Sequence, residues 1–167
     1  MKTKSLITRC VFVAAIIFLF GMTNAMSGEY KAMQEVESAD TVFDFRISDP
    51  SAALSHLGLI HNMKDDPNME INGSRPDIIL VFIGPSVKLI STDRSDFDQQ
   101  EQKTLHRLAE KIASMDSDGI KFEICMTAAG AHNVDSDTIL SEFKKVENGW
   151  ISLVGYQNKG YAMIADF

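Results

Sequence analysis

Cysteine is nearly missing from this chain. Two occur in 167 residues, Cys10 and Cys125, and with histidines scattered at 56, 61, 106 and 132 they make no zinc pattern. His56 and His61 fall in one helical stretch, but not at the i, i+4 spacing that lets two side chains hold one metal. Other signatures are missing too. There is no serine nucleophile elbow, no P-loop and no dinucleotide glycine fingerprint. Asp135 and Asp137 lack the spacing, glycine and glutamate of an EF-hand loop. No metal and no cofactor is expected. Positive charge is scarce, with 16 Lys and Arg against 23 Asp and Glu, which argues against nucleic acid and anionic lipid surfaces as partners. Internal repeats and low-complexity tracts are absent, and the longest apolar run, residues 11–20, falls short of the ~20 residues needed to span a bilayer.

What the front of the chain does contain reads as a secretory signal peptide over residues 1–25. Lys2, Lys4 and Arg9 form a basic start, the apolar run follows, and Thr23-Asn24-Ala25 puts short side chains before a cleavage point at Ala25. The alternative is an uncleaved anchor. Cleavage removes Cys10 and three basic residues, so 13 basic residues face 23 acidic ones and the net charge becomes −10. The mature protein is expected to be periplasmic, with no membrane attachment. It keeps one cysteine, Cys125, which cannot form an internal disulfide. That thiol is a buried inert group, half of an intermolecular bond, or a reactive group.

Residues 26–40 are polar, acidic and aperiodic, and are expected to be a flexible lead-in to one domain over residues 41–167. The apolar periodicity predicts strands over residues 41–47, 76–83, 120–125, 145–148 and 161–165. The second is almost wholly apolar, as a strand covered on both faces is. Helices are predicted over residues 50–62, 87–90, 99–115, 126–131, 138–143 and 150–158. Ser48 or Asp49 is placed to cap the first, Pro50 to start it, and Asp137 to cap the fifth. On the last helix Trp150, Leu153 and Val154 fall on one side. This alternation implies an α/β fold with a parallel or mostly parallel five-stranded sheet and helices on both faces.

The stretch from Ile120 to Ala131 holds the candidate chemistry. Ile120, Phe122 and Ile124 alternate with Lys121 and Glu123, and the strand ends on Cys125 where a helix of small residues begins. In open α/β sheets ligands bind at the carboxyl ends of strands, and a helix N-terminus favours a thiolate there. Backbone N–H groups around Met126 and Thr127, and from the turn Gly84-Pro85-Ser86, are candidates to hold a thiolate or a bound oxyanion. Lys88 would add positive charge, and Gly149 at the start of the last helix completes the candidate ligand set. His132 follows the Cys125 helix and is placed to approach the thiol, a known activation mode. The bland alternative is that Cys125 is a small buried hydrophobe.

The order of elements and four strings resemble the DsrE/DsrF-like family of sulfur-relay proteins. The strings are Gly84-Pro85-Ser86-Val87-Lys88-Leu89 after an apolar strand, Gly119 to Cys125, Gly149 to Val154 with Tyr156-Gln157, and Lys159-Gly160-Tyr161. The resemblance implies a three-layer α/β/α sandwich, a homo-oligomer of three or six copies, and Cys125 as the cysteine that carries sulfur as a persulfide. It implies a sulfur donor or acceptor protein as partner. The signal peptide places this chain with an exported, single-cysteine branch. The alternative function is a non-catalytic oligomeric binding or assembly module with a structural cysteine; a third is a redox-regulated dimer joined through Cys125.

Overall fold

The computed structural model describes residues 30–167. The expected signal peptide and the first residues of the expected lead-in lie outside the described residues.

Five short strands set the frame. β1 (Thr41–Phe45) and β2 (Ile78–Phe82) are buried along their whole length, and β3 (Lys121–Cys125) is buried from its second residue on. β4 (Phe143–Val146) and β5 (Ala162–Asp166) are the edges of a sheet ordered β4-β3-β2-β1-β5. All four neighbouring pairs are parallel, with Phe45 beside Phe82, Phe82 beside Ile124, and Cys125 beside Val146. Every strand's carboxyl end therefore lies along the same side of the sheet. A parallel sheet needs cover on both faces, and the connections supply it: α1 (Pro50–Asp65), a 3-10 helix (Gly84–Ile90), α2 (Gln99–Ser117), α3 (Met126–Ala131) and α4 (Gly149–Asn158).

Alternation sorts the strand residues onto two faces. Phe43, Phe45, Ile78, Leu80, Phe82, Phe122 and Ile124 meet Leu57 and Ile60 of α1 and Leu105, Leu108 and Ile112 of α2. The rings of Phe45 and Phe82 stack at 4.5 Å, and Phe143 meets Phe82 edge-on at 5.0 Å. The other face carries Val42, Ile79, Val81, Ile83 and Cys125, covered by Leu153 of α4.

Local chemistry fixes the helix starts. The Asp49 carboxylate accepts the Ala52 N–H at 2.7 Å and Pro50 opens α1. At α2, Asp98 and Glu101 act as a pair. Asp98 accepts from Gln100 and Glu101 N–H while Glu101 reaches back to the Asp98 N–H, a complete capping box.

Three expectations are corrected. Residues 138–143 are not a helix. A 3-10 turn (Ser136–Thr138) is capped by Asp135 rather than Asp137, and Phe143 begins β4. Packing overrides local propensity there, because Phe143 pairs with Phe122 and fills the aromatic cluster. The segment after β2 is a 3-10 helix that begins at Gly84 itself, whose φ of 66° is the left-handed region glycine tolerates. On α4, Leu153 is buried, but Trp150 and Val154 are exposed with Ile151, so the three do not share one buried side.

Candidate functional site

Cys125 ends β3 and is at the same time the N-cap of α3. Its Sγ accepts the Ala128 N–H at 3.4 Å and lies 3.9 Å from the Glu147 carbonyl, to which the thiol donates. One backbone donor is thus aimed at the sulfur and one backbone acceptor takes the thiol's hydrogen bond. The same Glu147 carbonyl accepts the Thr127 N–H at 3.0 Å and the Thr127 hydroxyl at 2.7 Å, which ties the end of β4 to the start of α3. Gly149 packs under the cysteine. A Cβ on it would sit 2.8 Å from Ile83 Cγ1 and 3.1 Å from Cys125 Cβ, so no larger residue fits without displacing one of them.

A cleft of about 230 Å³ opens at this point. Cys125, Thr127 and His132 line it together with Gly84, Asn148 and Arg46. Cys125 is only 4% exposed, and this cleft is the opening that it lines. Arg46 is anchored on β1's carboxyl side. Its Nε donates to both oxygens of the buried Asp44 carboxylate at 2.9 and 3.0 Å, and its backbone N–H donates to the Asp166 carbonyl at 2.8 Å. The Asn148 side chain caps α4 by accepting the Trp150 N–H at 3.0 Å.

The expected ligand set divides. Gly84 and Thr127 line the cleft with Cys125. Gly149 supports the cysteine from beneath. Ser86 is fully buried, with its hydroxyl donating to the carbonyls of Phe45 and Ile83, and so fastens the turn that Pro85 helps to form. Met126 packs against the aromatic core. Lys88 belongs to a neighbouring, more polar cleft of about 260 Å³, where it pairs with Asp96 at 2.6 Å. His132 lines both clefts, and that larger one contains no thiol. Arg46 and Asn148 are the residues that sequence reasoning passed over. Both immediately follow or lie near the carboxyl end of a strand, as Cys125 does, and that shared position was the available signal.

Elsewhere the histidines pair with acids. His56 meets Asp166, and His61 lies between Asp118 and Lys111, each at 2.7 Å, so neither faces the thiol. Among the described residues no group of three or more His, Cys, Asp or Glu side chains is placed to hold a metal ion.

On the face of the sheet that Cys125 shares, Glu123 is buried. Its Oε1 accepts the Tyr156 hydroxyl at 3.0 Å and a Lys144 ammonium proton at 3.2 Å, while its Oε2 has no partner. The Tyr161 hydroxyl donates to Asp77 at 2.7 Å. Burial first, then that hydrogen bond and the Asp77 charge, raise the Tyr161 pKa to about 12. Burial and Glu123 raise that of Tyr156 as well.

The family model of the DsrE/DsrF-like family matches residues 31–165, nearly all of the described chain. The chain belongs to the DsrE/DsrF-like family. Solved structures agree on its fold. Protein MTH1491 of Methanobacterium thermoautotrophicum, of unknown function, superposes with a TM-score of 0.58 at 21% identity, covering 77% of this chain and 99% of that one. The ychN protein of E. coli gives 0.53 at 8% identity over 77% and 99%. Protein BT1422 of Bacteroides thetaiotaomicron gives 0.52 at 17% over 75% and 93%. At these identities the likeness concerns the fold alone. No curated protein matches the chain. The DsrE/DsrF-like domain thus presents its single described cysteine at the carboxyl side of an all-parallel sheet, in a cleft with an arginine and a histidine.

Proposed function

We propose that this protein is an exported sulfur carrier that works as a homo-oligomer, with Cys125 as the group that is loaded. The observation that carries the proposal is the position of Sγ, in the lining of a cleft at the carboxyl side of the sheet, with the Ala128 N–H aimed at it and its thiol hydrogen-bonded to the Glu147 carbonyl. Family membership supports it, since DsrE/DsrF-like proteins often relay sulfur, and the basic and apolar residues of the N-terminus support export to the periplasm. In the loading step the Cys125 thiolate attacks the outer sulfur of a persulfide donor, R–S–SH. The Sγ–S bond forms, the donor's S–S bond breaks, and the donor leaves as the thiolate R–S⁻. Cys125 then holds –S–SH and passes its outer sulfur to an acceptor thiolate by the same exchange.

The deep burial of Cys125 favours a second reading, an oligomeric binding module whose cysteine only packs. Intact mass combined with native alkylation of protein taken directly from the periplasm separates the two. A one-sulfur adduct on Cys125, or rapid alkylation of the folded chain that is lost in Cys125→Ala, is expected for the carrier. An unmodified thiol that reacts only after unfolding would establish the module instead.

A further inference from the structure

The side chains that line the Cys125 cleft run against the acidic balance of the chain. The chain is acidic, with a formal net charge of −7, and three other clefts each carry at least one carboxylate: Asp93, Asp96 and Asp135 in one, Asp166 in another, Glu123 in the third. The cleft at Cys125 has no acidic side chain in its lining and has Arg46 and His132. Arg46 is also held ready. Its Nε is committed to Asp44 and its guanidinium lies over the Phe167 ring, 5.8 Å from the centroid, while among the described residues its two terminal nitrogens make no hydrogen bond. Because the guanidinium is planar, the edge made by those two nitrogens points away from Asp44. It offers a donor pair of the shape that binds carboxylate or sulfonate oxygens side by side. Asp44 is buried on the strand, so it fixes the arginine while taking no place in the lining.

We infer that this cleft selects anionic sulfur compounds, and that Arg46 is the specificity-determining residue that binds their carboxylate or sulfonate while their sulfur meets Sγ of Cys125. Asp44 acts through Arg46, as a positioning residue. This deepens the carrier reading and rests on its premise that Cys125 reacts in the folded protein.

Three thiol reagents with one reactive group and different charges test it: the 2-sulfonatoethyl, methyl and 2-(trimethylammonio)ethyl methanethiosulfonates. Each reacts as Cys–S⁻ + CH₃SO₂–S–R → Cys–S–S–R + CH₃SO₂⁻, forming the Sγ–S bond, breaking S–SO₂ and sending the electron pair out with methanesulfinate. Rates on the folded, full-length mature protein are normalised to each reagent's rate on free cysteine. The sulfonate is expected to exceed the ammonium by about tenfold or more, and the ratio to shrink at high salt. In Asp44→Asn/Arg46→Gln, which avoids an orphaned buried carboxylate, the ratio should fall to near one. If that pair of changes prevents folding, Arg46→Lys keeps Asp44 paired but loses the two-nitrogen edge, and should lower the ratio. Equal normalised rates in the wild type would overturn the anion selectivity and leave the carrier reading standing. A strong preference that persists in the folded Arg46 variants would overturn the role of Arg46. No reaction with any of the three would overturn the reactive Cys125 itself, and both readings with it.

Discussion

The two faces of the sheet are built from the same strands and differ in kind. One is covered by two long helices and filled with phenylalanine, leucine and isoleucine. The other has a single ten-residue helix over it and carries Cys125, Glu123 and the two tyrosines that reach Glu123 and Asp77. Hydrophobic burial scales with the apolar area removed from water, so the first face supplies most of the stability. The second tolerates an unpartnered carboxylate oxygen and a glycine wedged under a thiol. Such features persist only where other contacts hold the fold. The comparison assigns stability to one face and chemistry to the other, and it can be broken.

The largest effect is expected on the first face. Phe82 is fully buried and touches the rings of Phe45, Phe122 and Phe143. Phe82→Ala should cost about 3–5 kcal/mol in urea unfolding, the range for emptying an aromatic core site. The alkylation rate of Cys125 in the fraction that stays folded should hardly change. A variant that alters that rate before it loses stability would show that the two faces are coupled.

Gly149→Ala should invert the pattern. The added methyl meets Ile83 and the Cys125 Cβ at distances that force a shift, which costs about 1–3 kcal/mol. Unlike Phe82→Ala it should change the Cys125 alkylation rate several-fold, because the side chains that must give way are that of Ile83, which lines the same cleft, and the thiol's own. A melting curve and a rate measured on one preparation decide it.

The two faces were also unequally legible in the sequence. The apolar run ending at Phe82 and the alternation around Phe122 announce a parallel sheet, and Asp49-Pro50 and Asp98 mark helix starts, because each depends on neighbours in the chain. The Cys125 strand-to-helix junction was legible for the same reason. Phe143 was assigned to a helix, because its partners Phe82 and Phe122 are distant in sequence and nothing local declares them. From the sequence alone Arg46 is only one of the polar positions in the alternation over residues 41–47. Its place beside Cys125 follows once β1, β2 and β3 are known to be parallel neighbours, which brings their carboxyl ends to one side. Lys88, near the start of the second predicted helix, reads from the sequence as positive charge for the thiol, but the 3-10 helix carries it to the adjoining cleft.

A smaller effect concerns the buried pair on the second face. Glu123 keeps one oxygen unsatisfied, a cost of about 1–3 kcal/mol, against the hydrogen bond it makes with Tyr156 and its contact with Lys144. Lys144 is largely exposed and regains water when Glu123 is removed. Glu123→Leu/Tyr156→Phe removes acceptor and donor together and should leave the unfolding free energy within about 1 kcal/mol of the wild type. A much larger loss would make this face a contributor to stability after all.

The last effect shows itself only at alkaline pH. The Tyr161 pKa is raised to about 12 by burial and by the hydrogen bond to Asp77, against about 10 in an unfolded chain. A raised pKa means the folded state holds the proton more tightly. The stability this supplies is therefore complete below pH ~10 and is lost as pH rises from there through about 12. Thermal melts across that window, with tyrosinate absorbance followed in parallel, should show a steeper loss for the wild type than for Tyr161→Phe. Phe82→Ala should melt lower at every pH yet keep the wild-type slope, because no tyrosine contributes to the phenylalanine-filled face. Equal slopes for the wild type and Tyr161→Phe would mean that Tyr161 supplies none of the alkaline sensitivity, and Tyr156 would be the titrating group left on the face that holds Cys125.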